Sequence, residues 1–391
     1  MQGLIPETPD AAPPEVQRRK CVQMVRVIRF ALLGAAVGSL VVMGMTFGLG
    51  QGLTGMIAAG NRGPAAETLS KDFPNTKFEP TTGHDGQYYY LHARQPMHLD
   101  KVAPSMDQAR YRMQRVLLPV LAWLLHPSGG GNGLVWALVA IGVASLLLGG
   151  IVLGLLSVDG GGSAAVAVAF GLLPGALATL LVGGCDMLAL SLALTAILLS
   201  NHRRWVWAAA VSIAAVLARE VVFVLLGSWV FGQVLLRHPD RRRLVLVNLV
   251  APIMVWGTWW LYLREAFPRE GSMPGLFLPP FVGWWRAWNK GGSSGRGLIG
   301  FSMLIYTLLL AFYGFARTSR RSQWFWPMVA QLGFLTILGP WVIGPDLEAT
   351  RMVAPFILVT ILGIVTSPGE RAAQRDDLRR SAPVVATCSS H

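Results

Sequence analysis

The chain has 391 residues, 53% of them hydrophobic and only 14% charged, with 33 Lys and Arg against 20 Asp and Glu. So apolar a balance excludes an ordinary soluble domain and fits a polytopic membrane protein. The basic excess does not point to nucleic acid either, because it falls in short runs between apolar stretches, too short to track a phosphate backbone.

In chain order, residues 1–26 read as a polar, basic tail without a cleavable signal pattern, since the apolar run that follows is long enough to stay as an anchor. A bilayer core takes about 20 apolar residues per helix, fewer where surrounding protein shields the segment. Ten runs qualify: 27–50, 133–156, 163–182, 186–200, 204–218, 220–236, 244–263, 297–316, 324–344 and 351–367. The predicted fold class is an all-α polytopic membrane protein, with a transmembrane domain over 27–367 and a tail over 368–391. "VLLPVLAWLL" at 116–125 would rise only about 15 Å as a helix, half the hydrocarbon thickness. It reads as interfacial or re-entrant, with eleven spans as the alternative count.

Charge orients these spans, because Lys and Arg gather at the cytoplasmic ends of membrane helices. Arg18, Arg19, Lys20, Arg26 and Arg29 precede or open the first run. "NHRR" at 201–204, "RHPDRRR" at 237–243, "ARTSRRSQ" at 316–323 and the tail arginines Arg371, Arg375, Arg379 and Arg380 follow. Ten spans put all of them inside with both termini. The first outside loop is then 51–132 and the second large one 265–296.

Within the first loop, 51–83 is rich in Gly, Pro, Thr and Asn and reads as irregular connection. "TTGHDGQYYYLHARQP" at 81–96 predicts a helix that begins at Asp85 and stops before Pro96. On it Asp85, Tyr88, Tyr89 and His92 share a face by i, i+3, i+4 and i+7 spacing, with His84 beside them. Carboxylates bind sugar hydroxyls and aromatic rings bind apolar sugar faces, so this face is a candidate sugar site. The plainer alternative is a capping Asp85 with tyrosines at the membrane interface. "ARYRMQRVLLPVLAWLL" at 109–125 then sets Arg112 and Arg115 ahead of the short apolar helix. Guanidinium groups there meet either lipid phosphates or one phosphorylated substrate.

The same outside face receives Asp186 at the start of a span, Arg219 with Glu220 between two spans, and Asp346, Glu348 and Arg351 before the last. Ionisable groups at membrane depth mark a functional cavity or a pairing partner. Asp186, Arg219, Glu220, Asp346 and Arg351 therefore join the candidate substrate-binding set, with packing ion pairs as the alternative. Trp284, Trp285 and Trp288 in the second loop read as an interface belt. Cys21, Cys185 and Cys388 stand apart and predict neither zinc nor a disulfide framework. No GxxxxGK[ST], HExxH or DxD pattern is present.

A long first outside loop after one N-terminal span, an acid early in it, short interfacial helices and an even span count together resemble the GT-C superfamily of integral-membrane glycosyltransferases. More closely, "HDGQYYYLHARQP" followed by "YRMQRVLLPVLAW" is similar to bacterial polytopic proteins grouped with that superfamily. The resemblance implies a multi-pass enzyme of the bacterial inner membrane. Such an enzyme moves a sugar from a polyprenyl-phosphate donor to a lipid or glycan acceptor at the extracytoplasmic face, with inversion. Asp85 then stands as the catalytic base or a metal ligand, so a divalent cation is an open option and no other cofactor is implied. Arg112, Arg115, Arg219 and Arg351 are the candidates to stabilise the leaving phosphate. The chain departs from some relatives in lacking a second acid directly beside Asp85 and a sizeable C-terminal periplasmic domain. A transporter or flippase of a lipid-linked sugar, and a noncatalytic membrane protein, are the rival readings.

Overall fold

Apolar runs become helices for a solvent reason. Where no water reaches, a backbone N–H or C=O bonds only its own chain, and a helix satisfies both within one segment. The computed structural model describes residues 14–127, 129–268, 277–291, 295–343 and 348–381. Among these the regular structure is helical, and the β content is two isolated bridges, Gly60 to Glu79 and Phe277 to Leu338.

The helices used below are, in chain order, α1 (Pro14–Gly48), α2 (Asp85–Arg94), α3 (Ala109–Met113), α4 (Leu117–Leu125), α5 (Gly131–Asp159), α6 (Ala167–Leu172), α7 (Pro174–Leu181) and α8 (Asp186–Asn201). They continue as α9 (Trp205–Ala218), α10 (Val222–Leu235), α11 (Ala251–Ala266), α12 (Val282–Gly291), α13 (Gly295–Arg317), α14 (Phe325–Ile337) and α15 (Glu348–Ser381). Among the described residues four segments are long and apolar enough to cross a membrane: Cys21–Gly48, Gly131–Asp159, Arg241–Ala266 and Glu348–Ser367. A fifth exists if Ala164–Leu172 and Pro174–Leu181, bent by 43° at their junction, count as one span. The bend falls at Pro174, which has no N–H to continue the preceding helix. Four further apolar helices, α8, α9, α10 and α14, have 16, 14, 14 and 13 residues. Each rises at most about 24 Å, short of a hydrocarbon core of about 30 Å. Every apolar run of the sequence is thus helical among the described residues, while these four helices fall short of full crossing length.

Close backbone approach organises the first layer. α1 packs on α5 and α6, and a Cβ added at Gly38 would overlap the carbonyl oxygen of Gly171. Small residues let two membrane helices gain dispersion contacts that bulkier ones would prevent. Further along, α8 packs between α5 and α9, and α15 packs on α7, α13 and α14.

Loop contacts define two ends of this bundle. At one, His202 Nε2 lies 3.0 Å from Asp159 Oδ2 and Arg203 Nε lies 3.2 Å from Asp240 Oδ2, which gathers the turns after α5, α8 and α10. The exposed Arg18, Arg26 and Arg29 of α1 belong to this end. At the other end α2 and α3 meet the starts of α8 and α15 and the α9–α10 turn.

Several boundaries differ from expectation. The stretch 51–83 carries a 3₁₀ turn at Leu53–Ile57 and a helix at Ala66–Asp72. Met56, Ile57 and Leu69 are buried there, so tertiary packing rather than local propensity orders them. α1 begins inside the predicted N-terminal tail, and α15 continues past residue 367 to Ser381. Trp284 is not part of an interface belt: it is buried in α12 and its indole N–H donates to Leu335 O at 2.8 Å. Trp285 is exposed, and the side chain of Trp288 lies outside the described residues. α4 is the expected short helix over 117–125.

Candidate functional site: a buried arginine and carboxylate cluster

Asp85 is the first residue of α2, and the residues around it fix where that helix starts. The Gly86 N–H donates to Val182 O at 3.1 Å and the His84 N–H to Ala58 O at 3.0 Å. Gln87 ties down the approach, accepting from the Gly60 N–H at 3.2 Å and donating to Thr82 O at 2.6 Å. A Cβ on Gly86 would overlap Val182 O and stand 2.8 Å from Ile57 O. Opposite it, Gly183 has φ +63°, where side chains are strained, and its own Cβ would stand 3.1 Å from Gly86 Cα. These two glycines let the first turn of α2 rest on the loop that leads into Asp186. Gly86→Ala is therefore expected to lower stability by about 1–3 kcal/mol through overpacking. Thermal unfolding in detergent checks this, and an unchanged midpoint would mean that α2 does not seat on the 182–184 loop.

Four arginines converge on Asp85 and its neighbours. Arg112 pairs with Asp85 Oδ1 and grips Asp107 through Nη2 and Nε at 2.9 and 3.0 Å. Arg115 places Nη1 3.7 Å from Asp85 Oδ2 and donates to Glu220 at 3.1 and 3.3 Å. Arg351, from the first turn of α15, donates through Nη2 to Asp85 Oδ2 at 3.1 Å and to Asp186 Oδ2 at 2.6 Å. Its Nε reaches Asp186 at 2.9 Å and its Nη1 reaches Glu348 at 2.6 Å. Arg219 pairs with Asp186 Oδ1. Four guanidinium groups thus face five carboxylates, and Asp85 alone faces three of the four.

Burial raises the stakes of every pair, since charges removed from water depend on their partners. The Arg351 side chain is 0% exposed and that of Asp85 only 15%. Burial alone would raise the Asp85 pKa, but Arg112, Arg351, Arg115 and Arg219 outweigh it and hold the carboxyl well below its usual range. Aromatic rings close the cluster on one side. Arg112 stacks over the Tyr88 ring and Arg115 over the Tyr111 ring, each 4.5 Å from the centroid. Burial and the nearby Asp107 push the Tyr88 hydroxyl up to about 12, so it stays protonated. The Tyr89 hydroxyl meets Cys185 Sγ at 3.0 Å and accepts from Arg115 at 3.4 Å.

The structure therefore brings together Asp85, Tyr88, Tyr89, Arg112, Arg115, Asp186, Arg219, Glu220 and Arg351. His84 stands at the rim, 4.0 Å from Glu348. Asp346 lies outside the described residues. Asp107, Tyr111 and Glu348 are members that the candidate set lacks. The run D-x-x-x-Y-R-x-x-R at 107–115 carried a usable signal for the first two. Asp186, Arg219 and Arg351 also line a narrow cleft of about 30 Å³ with Gln331 and Phe334, room for a water or two.

His92 does not join this cluster. It is 1% exposed, neither ring nitrogen has a hydrogen-bond partner among the described residues, and burial lowers its pKa from 6.5 to about 4. The unfolded chain takes up the proton near pH 6.5 and the folded chain only near pH 4. The stability from keeping His92 neutral is complete above the first value and lost as pH falls toward the second, a loss of about 3 kcal/mol. His92→Phe is expected to flatten that acid limb in unfolding midpoints measured between those pH values. An unchanged limb would place the proton uptake elsewhere.

A divalent cation does not fit this donor set. Both Asp85 oxygens face guanidinium groups, and among the described residues no group of three or more His, Cys, Asp or Glu is placed to hold a metal ion. Compared with protein-family models, with curated proteins and with solved structures, the chain gives no match in any of the three.

Proposed function

We propose that the chain is a membrane glycosyltransferase of the GT-C kind. It would transfer a sugar from a polyprenyl phosphate to a lipid or glycan acceptor at the extracytoplasmic face of a bacterial inner membrane. The observation that carries the proposal is the position of Asp85, an ionised and mostly buried carboxylate facing three arginines at the end of the bundle opposite the basic loops. That polarity supports an orientation with the basic turns and both termini in the cytoplasm. The ten-span arrangement has the four shorter helices cross within the protein's own packing rather than against full-thickness lipid.

In the transfer step the acceptor hydroxyl gives its proton to the Asp85 carboxylate while its oxygen attacks the anomeric carbon. The bond from that carbon to the phosphate oxygen breaks, its electron pair stays on the phosphate, and the configuration inverts. Guanidinium groups neutralise the charge that develops on the leaving phosphate. At rest Asp85 is too well matched by arginine to be a strong base. A phosphate that draws Arg112 or Arg351 toward itself removes part of that stabilisation and raises the proton affinity of Asp85, so donor binding itself prepares the base.

The test is release of polyprenyl phosphate from polyprenyl-phosphate pentoses and hexoses by the full chain in proteoliposomes with lipid and glycan acceptors. Release coupled to sugar on the acceptor is expected, and no release with any pair would sink the proposal. A second reading, a flippase of the same lipid, draws on the 43° break before α7 and the π turn at Leu246–Val250, since transporters build around interrupted helices. The two separate cleanly, because flipping moves the donor across the bilayer intact.

A further inference from the structure

Away from the cluster, at the basic end, α1 and the turn after α5 enclose an open cleft of about 610 Å³. Gln23, Arg26 and Arg29 line its polar part, and Phe30, Leu33 and Val158 its apolar part. Arg26 and Arg29 are exposed, and neither has an acidic partner among the described residues. The nearest acid on α5, Asp159, is engaged by His202 at 3.0 Å. Arg18 continues the same stripe of α1 outward and is also exposed. Toward the centre of the bundle the outer face of α1 turns apolar, with Leu32, Leu33 and Leu40 at 49%, 53% and 69% exposure. Leu33 sits about 6 Å deeper along the helix than Arg29.

We propose that this cleft seats an anionic phospholipid of the leaflet at this end, its phosphate gripped by Arg26 and Arg29 and an acyl chain lying along Phe30 and Leu33. The inference depends on α1 being a membrane span and not on the glycosyltransferase reading. Two unpaired guanidinium groups demand an anion. The apolar floor directly below them selects a lipid over free phosphate, which could use only the mouth. Ser163 borders the mouth, and its Oγ accepts from the Ala165 N–H at 3.2 Å, so its hydroxyl retains a donor for a phosphate oxygen.

Native mass spectrometry of the full chain in detergent, titrated with phosphatidylglycerol or phosphatidylcholine, tests the site. Retention of phosphatidylglycerol over phosphatidylcholine is expected. The R26Q/R29Q pair should weaken it about 25-fold, from roughly fivefold per basic residue near an anionic surface. R26K/R29K should keep most of it, and R241Q/R242Q, which removes two exposed arginines outside the cleft, should leave it unchanged. Millimolar inorganic phosphate should not displace the lipid. Equal retention of both lipids, an equal loss in R241Q/R242Q, or displacement by inorganic phosphate would each overturn the proposal. Unchanged unfolding midpoints of the variants keep the comparison independent of folding.

Discussion

Asp85→Asn is expected to cut sugar transfer by about 10²–10⁴-fold, the range for loss of a positioned base, while donor binding becomes tighter. The two halves of that result have one origin. Asparagine keeps the shape of the side chain, and its one carbonyl oxygen still accepts from Arg112 or from Arg351, which meet different oxygens of Asp85, but it takes no proton from an acceptor hydroxyl. It also removes the negative charge that three guanidinium groups now share, so those groups meet an incoming phosphate with less competition. A rate that collapses while the donor KM falls would distinguish a base from a merely structural acid, whose loss degrades binding and rate together. Transfer at the wild-type rate would remove Asp85 from the chemistry. Asp85→Glu restores a base one methylene too long for the same hydrogen bonds, and partial recovery is expected.

Arg351→Met is expected to cost about 3–5 kcal/mol of stability, the penalty for leaving buried charge without its partner. Arg351 carries the heaviest consequence because its side chain is 0% exposed and it alone contacts Asp85, Asp186 and Glu348 together. Without it Asp186 keeps Arg219 and Asp85 keeps Arg112 and Arg115, whereas among the described residues Glu348 is left with His84 at 4.0 Å. Chemical or thermal unfolding in detergent measures the loss. Lysine at this position should recover only part, since a point charge cannot reproduce contacts made through three guanidinium nitrogens. Adding Glu348→Gln to Arg351→Met should recover a share as well, because the cost resides in stranded charge. If Arg351→Met unfolds like the wild type, the cluster is not coupled to the fold.

What the sequence disclosed about this region divides along contact distance. α2 and α4 were legible because their signals are local: Asp85–Gly86 at the start and Pro96 after the end of one, and a ten-residue apolar run in the other. Asp85, Arg112 and Arg115 drew notice for the same reason, as charges interrupting an apolar chain. Their partners did not follow, since the Arg351 to Asp85 pair spans 266 positions and no periodicity in one chain encodes such a contact. Glu348 stands on the same outside face but not in the candidate set, yet as the first residue of α15 it shares the site. Trp284 misled because tryptophan suits both a lipid interface and a protein interior with a carbonyl in reach. The apolar runs gave ten helical segments, but composition does not report where a helix breaks or bends, and four proved shorter than a bilayer.

The contact of Gly38 with Gly171 sets a timetable for synthesis. Residues of α6 are made about 130 positions after the glycines of α1, and ribosomes add roughly 5–20 residues per second. For about 7–25 s the small-residue face of α1 must therefore lie against lipid or the insertion machinery before its own partner exists. The Gly38 face of α1 thus waits for a partner made far along the chain, so a nascent chain stalled before residue 171 would be released with that face free to associate with other helices.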